Sequence, residues 1–191
     1  DFAPTRSADP FFSSRARADF RYMATSDLLA ELSKDSFRAA PDVEKKVVAV
    51  VLRQLDDQSG DVSTLAVKCL PPLVRGCGGP SVVDVVHGLV ERLCAEEGKD
   101  ARARRDAGVI GLKTVLAEIP SAHENAGAVV KTLVPKLVAA LAASLHSGSA
   151  AKNTGAAGDV AGDCLDVLHA AAAGLGAYMT SSAADGVSPE T

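Results

Sequence analysis

The chain has 191 residues and a formal net charge of −4, so it lacks the basic field expected of a nucleic-acid binder. Hydrophobic residues make up 47% and charged residues 23%, which excludes disorder driven by composition. Aromatic residues are only 4% and Trp is absent, so the core must come from Leu, Val and Ala, which suits closely packed helices.

Residues 1–18, with Pro4, Pro10 and several Ser and Arg residues around Phe2, Phe11 and Phe12, read as an irregular N-terminal segment. A helical pattern starts at Asp19, with Phe20, Met23, Ala24, Leu28 and Leu32 at three- and four-residue steps. Pro41 opens a second helix, where a missing N–H costs nothing. Its apolar row is Val43, Val47, Val51 and Leu55, and Ser59-Gly60 ends it. Asp61 suits the N-cap of a third helix with two adjoining rows, Leu65, Cys69, Leu73 and Ala66, Leu70, Val74. Pro71 and Pro72 fall inside that helix and should bend it.

Gly76 to Pro80 forms a turn, and Ser81 is the expected cap of a fourth helix carrying Val82, Val85, Val86, Leu89, Val90 and Leu93. A fifth helix is predicted from about Asp100 to Ile119, stopped by Pro120, with Val109, Leu112, Val115, Leu116 and Ile119 apolar. A sixth spans about Asn125 to Leu145, and a seventh about Asp159 to Tyr178. Between them, residues 147–158 read as a flexible Gly/Ser/Ala/Asn-rich loop, and 181–191 as a disordered tail. The Val-rich runs at Val47–Val51 and Val82–Val86 resemble buried strands, but each lies in a 12–15-residue stretch with charges on the opposite helical face.

Chemistry-bearing motifs are missing. Cys69, Cys77, Cys94 and Cys164 show no C-x-x-C pairing and read as reduced, mostly buried thiols of an intracellular protein. His87, His123, His146 and His169 form no ligand pair, so no metal or cofactor is expected. Gly76-Cys77-Gly78-Gly79 follows a helix and has no Lys-Ser/Thr after it, which makes it a turn rather than a phosphate loop. No G-x-S-x-G or other activated nucleophile appears, so the chain is not expected to be an enzyme. Lys99, Arg102, Arg104 and Arg105 form a basic cluster diluted by Asp100 and Asp106, with no aromatic residue for base stacking. No uninterrupted apolar run reaches the roughly 18 residues of a membrane span. Leu133 to Leu145 comes closest and is interrupted by Pro135 and Lys136, so no membrane partner is expected.

A repeat underlies the pattern. Aligning Asp19, Asp61, Asp106 and Asp159 places small residues five positions on (Ala24, Ala66, Gly111, Cys164) and apolar residues nine positions on (Leu28, Leu70, Val115, Leu168). The spacings are 42, 45 and 53 residues, the last stretched by the Gly/Ser loop. A small residue allows close approach of the two helices of a pair, and the apolar residue one turn further plugs the gap. Two helices in a period of roughly 40–47 residues is the HEAT or armadillo range. The expected fold is therefore all-α: a HEAT-repeat solenoid of about four helix pairs over residues 19–180, offering an extended surface for protein partners.

Three stretches carry a family resemblance. Asp19-Phe20-Arg21-Tyr22-Met23-Ala24-Thr25-Ser26-Asp27-Leu28, with Glu31 to Ser36, resembles the first repeat of the cullin-associated, neddylation-dissociated proteins, also called the TATA-binding-protein-interacting proteins. Leu65 to Leu70 with Pro72-Leu73-Val74 is similar to the second repeat, and Ile110 to Val115 to the third. The resemblance implies an N-terminal part of a long HEAT solenoid that wraps a cullin and its RING protein. It also implies a preference for cullins lacking the ubiquitin-like modifier and, for the whole solenoid, exchange of substrate-receptor adaptors, an activity that belongs to its far C-terminal repeats and that this chain alone is expected to lack. Residues 1–18 depart from the amphipathic first helix of that family, and 147–158 look like an insertion. In HEAT arrays the second helix of a pair usually lines the concave side, which nominates Arg21, Thr25, Lys68 and Lys113 as partner contacts. The expected location is the cytoplasm, the nucleus or both. Two alternatives stay open: a generic HEAT or armadillo scaffold or transport adaptor, and a nucleic-acid-binding helical domain using Arg102 to Arg105.

Overall fold

The computed structural model describes residues 10–95, 100–119, 123–148 and 155–185. Seven α-helices follow one another there: α1 (Pro10–Leu32), α2 (Pro41–Leu55), α3 (Gly60–Gly76), α4 (Gly79–Leu93), α5 (Ala101–Glu118), α6 (Ala126–Gly148) and α7 (Gly155–Asp185). No strand occurs among the described residues, and both Val-rich runs lie on helices, α2 and α4.

Helices α2 and α3, α4 and α5, and α6 and α7 pack as pairs, while α1 packs on α3. Odd-numbered helices stack on one another in one layer, and even-numbered helices in a second. This is a HEAT-like two-layer stack of three pairs, with α1 standing where the second helix of a preceding pair would stand. The aligned Asp19, Asp61, Asp106 and Asp159 all fall in the odd layer, so the repeat read from the sequence is the register of the second helices.

The core runs unbroken between the layers. In α3 both predicted rows are buried, and in α4 all six predicted apolar residues are. Helix α4 touches α2, α5 and α6, so it has little room for a polar face. Close packing there depends on glycine. A Cβ on Gly108 would lie 2.7 Å from the Leu93 backbone N and 2.9 Å from the Leu89 carbonyl oxygen. At Gly111, the small residue of the repeat, a Cβ would stand 2.5 Å from Leu89 Cδ2.

Several expectations shift. Helix α1 begins at Pro10 rather than Asp19, so the segment expected to be irregular is helical from Pro10 onward; residues 1–9 lie outside the described residues. A proline at the first helical position has its φ pre-set and sacrifices no hydrogen bond. On α1, Phe20 (72% exposed), Met23 (61%) and Ala24 are exposed although their period predicts a buried row. They have no pair helix to cover them among the described residues, whereas their counterparts Val62, Leu65 and Ala66 in α3, which packs on α2, are buried.

On α2 the buried set is Val48, Val51 and Leu55 together with Glu44, while Val43 is 43% exposed. Helix α3 runs through Pro71 and Pro72, which leaves the carbonyls of Val67 and Lys68 without their helical donors. The N-caps are Ser59 and Gly78, not Asp61 and Ser81. Ser81 instead donates its hydroxyl to Glu44 Oε2 at 2.7 Å, and the Gly78 N–H donates to the same carboxylate at 3.2 Å. A buried carboxylate from α2 thus satisfies the start of α4, the helix end that favours negative charge. Helix α6 continues to Gly148 and α7 covers Gly155–Asp185, which narrows the expected loop and tail; residues 149–154 and 186–191 lie outside the described residues. Alanine, the strongest helix former, is common at both junctions.

Two helices also reach the length and apolarity of a membrane span, Ala126–His146 with mean hydropathy 1.7 and Val160–Ala177 with 1.2. Continuous apolar runs had pointed away from such segments; alanine raises the average without making a run. In the fold, Val129, Leu133 and Leu137 of α6 and Cys164, Val167, Ala171 and Leu175 of α7 dock into the core at helical steps, as in the preceding pairs.

Candidate protein-binding surface

The odd layer presents its outer residues at repeated register. Seven positions beyond each aligned Asp stand Ser26, Lys68, Lys113 and Asp166, on α1, α3, α5 and α7. Lys113 Nζ donates to Asp166 Oδ2 at 2.8 Å, one step along the array, and this contact holds the Asp166 carboxyl below the usual carboxylate range. Lys68 is exposed and makes no ion pair among the described residues. Beside it lie half-buried Val67 and Pro71, and Ile110 on the next odd helix is 52% exposed.

The other two nominated contacts behave differently. Arg21 holds Asp57 with two hydrogen bonds, Nε to Oδ2 at 2.7 Å and Nη2 to Oδ1 at 2.9 Å. Its guanidinium keeps the Asp57 carboxyl below its usual range, helped by the Ser59 N–H. Arg21 is therefore committed to joining α1 to the α2–α3 turn. Thr25 is 2% exposed and donates its hydroxyl to the Arg21 carbonyl at 2.7 Å. It offers no surface to a partner, because at its register the side chain points into the α1–α3 contact. The burial of Thr25 corrects the expectation that it lies off the main apolar rows as a partner contact.

Sequence reasoning missed the carboxylates that complete these pairs. Asp56 and Asp57 follow the last turn of α2, where the helix dipole disfavours negative charge. That misplacement was the available signal. Arg92 of α4 offsets it by reaching Asp56 at 2.8 Å, as Arg21 does for Asp57. Arg75 of α3 likewise reaches Glu118 of α5 at 2.7 Å.

Between the N-terminal halves of α3 and α5 lies a groove of about 780 Å³. Val67, Ala107 and Ile110 contribute apolar surface, and Asp56, Asp57, Asp100, Asp106 and Arg104 contribute charge. Of the basic cluster, Arg102 and Arg104 are exposed and Arg105 is 6% exposed, while Lys99 lies outside the described residues. The cluster is thus split between surface and interior rather than forming one basic face. The thiols offer no reactive centre in this layer: burial pushes Cys69, Cys77 and Cys164 up to about 11.

No family model matches the chain. Curated relatives do. A protein of Arabidopsis thaliana, cullin-associated NEDD8-dissociated protein 1, is 40% identical over 162 residues, 85% of this chain and 12% of that protein. The Mus musculus cullin-associated NEDD8-dissociated protein 2 is 50% identical over 109 residues, 57% of this chain and 8% of that protein. The Drosophila melanogaster protein 1 is 45% identical over 125 residues, 64% and 10% respectively. This chain is a relative of the cullin-associated NEDD8-dissociated proteins. It spans about an eighth of the length of the plant protein or less of the others. The three stretches that resemble the family lie on α1, α3 and α5, so the likeness read from the sequence is a likeness of odd-layer helices.

Proposed function

We propose that the chain is a non-enzymatic protein-binding segment that engages a cullin–RING ubiquitin ligase lacking its ubiquitin-like modifier, as part of an exchange factor acting in the cytoplasm or nucleus. The observation that carries this reading is relatedness to several proteins named for cullin association, at 40–50% identity. The odd layer supports the placement of the contact. Lys68 is a charge with no ion pair among the described residues, set beside the partly exposed apolar surface of Val67, Pro71 and Ile110. Apolar surface edged by charge is the usual anatomy of a protein interface. Lys113 joins the surface through its salt bridge, and Arg21 and Thr25 drop out because their own packing occupies them.

The test is capture of a purified, unmodified cullin–RING complex on the immobilised chain, beside the variant Lys68→Glu/Lys113→Glu. Specific capture by the chain and weaker capture by the variant is the expected result. A helical chain that captures nothing refutes the reading. Equal capture by both proteins moves the contact away from the odd layer.

A further inference from the structure

We infer that the seam between the first turns of α4 and α6 binds a carboxylate group, the side chain of an acidic residue from outside the chain. The inference goes beyond the cullin-binding reading and does not depend on it.

The array supplies the precedent one joint earlier. Where α4 starts beside α2, the Glu44 carboxylate accepts the Gly78 N–H at 3.2 Å and the Ser81 hydroxyl at 2.7 Å. That seam thus holds a buried carboxylate. Helices α2 and α4 both carry proline in the first turn, and aligning Pro41 with Pro80 places Val83 where α2 has Glu44. A valine side chain accepts no hydrogen bond, so α4 hands no carboxylate on to α6.

The donors for one are nevertheless present. Helix α6 has 23 residues and begins at Ala126. In its first turn the Gly127 and Ala128 N–H groups have no backbone acceptor among the described residues. Asn125, the residue before it, is 8% exposed, and its Nδ2 makes no hydrogen bond. Its amide lies in the seam: a Cβ on Gly79, at the start of α4, would stand 2.5 Å from Oδ1 and 4.0 Å from Nδ2. A buried N–H without an acceptor is costly and calls for a partner. A carboxylate has two oxygens with which to accept from Nδ2 and the helix N–H groups together, and its charge meets the positive end of the α6 dipole.

The nearby charges leave room for it. Glu44 is spent on α4, one helix spacing away, about 10 Å. Glu124 is exposed and leaves Nδ2 unpaired. The segment leading into α6, Pro120-Ser121-Ala122, carries no charge.

Acetate is the probe, titrated into the 15N-labelled chain at pH 7 against chloride at equal ionic strength and read from the NMR amide signals. Saturable shifts concentrated on the Asn125 side-chain amide and on the Gly127 and Ala128 N–H groups are expected. Asn125→Ala should weaken acetate binding about tenfold. Val83→Glu, which supplies the carboxylate from α4, should abolish the response. Shifts spread evenly over the starts of the other helices overturn the inference, as does an unchanged response in Asn125→Ala. A chain shown to be helical by circular dichroism that gives no saturable shift overturns it too. Capture of a cullin–RING complex is a separate measurement and stands or falls by itself.

Discussion

Replacing Gly108 by Ala tests whether the α4–α5 contact is as close as the geometry requires. In an open helix the change stabilises, by roughly 0.8–1 kcal/mol, because Ala is the better helix former. Here the new methyl meets backbone, at 2.7 Å from Leu93 N, 2.9 Å from Leu89 O and 3.1 Å from Leu93 Cα. Backbone cannot rotate away as a side chain can, so α5 must move off α4, and such overpacking costs about 3 kcal/mol at the upper end of its range. The net expectation is a loss of about 2 kcal/mol. Two further glycines calibrate it. At Gly111 the nearest atoms are side-chain atoms, Leu89 Cδ2 and Leu70 Cδ1, which can shift, so cost and propensity nearly cancel. At Gly162 nothing lies within 4 Å, so Ala should stabilise by about 0.5–1 kcal/mol. Urea denaturation followed by circular dichroism should rank the midpoints Gly162→Ala, unaltered chain with Gly111→Ala close to it, and Gly108→Ala last. A Gly108→Ala chain as stable as the unaltered one refutes the close-approach argument.

Glu44→Ala strips the start of α4 of the carboxylate that Gly78 and Ser81 donate to, and should lower stability by about 1–3 kcal/mol in the same assay. The Arg21–Asp57 pair should show as a pH effect. The folded pKa of Asp57 lies below its ordinary 3.8, so its contribution is fully present above that value and fades as pH falls through the depressed one. Asp57→Asn should therefore lower the unfolding midpoint at neutral pH, and the gap from the unaltered chain should close in acid. Among the thiols, half-buried Cys94 should label first with a thiol reagent at neutral pH, while Cys69, Cys77 and Cys164 react only on unfolding. Equal labelling of all four in the folded chain contradicts the packing.

Where a helix is surrounded, its sequence told almost everything. The six apolar residues of α4 and the double row of α3 were all read correctly, because packing on several sides leaves one solution for the apolar pattern. The pattern misled where one side is open. Phe20 and Met23 follow the same period as Leu65 but have no pair helix over them. Periodicity states which residues share a face, and only the neighbours decide whether that face is covered. Helix boundaries slipped at Pro10, Ser59 and Gly78 for a related reason: local capping rules put Ser81 at a helix start, and a carboxylate thirty-seven residues away drew it into another role. Among the candidate contacts, Lys68 was legible as an off-row charge. The fate of Arg21 and Thr25 was not, since both depend on what the α2–α3 turn and α3 bring against α1.

The ion pairs Arg21–Asp57, Arg92–Asp56, Arg75–Glu118 and Lys113–Asp166 all join one step of the array to the next. Each acts as a guy-rope across a single joint and leaves the next joint to its own tether. A twist applied at one end is therefore shared out in small increments, each stretching an ion pair near the surface while the buried core stays intact. In mechanical terms the array is built as a row of separately tethered joints, so a small bend should be met by many slight adjustments instead of one hinge.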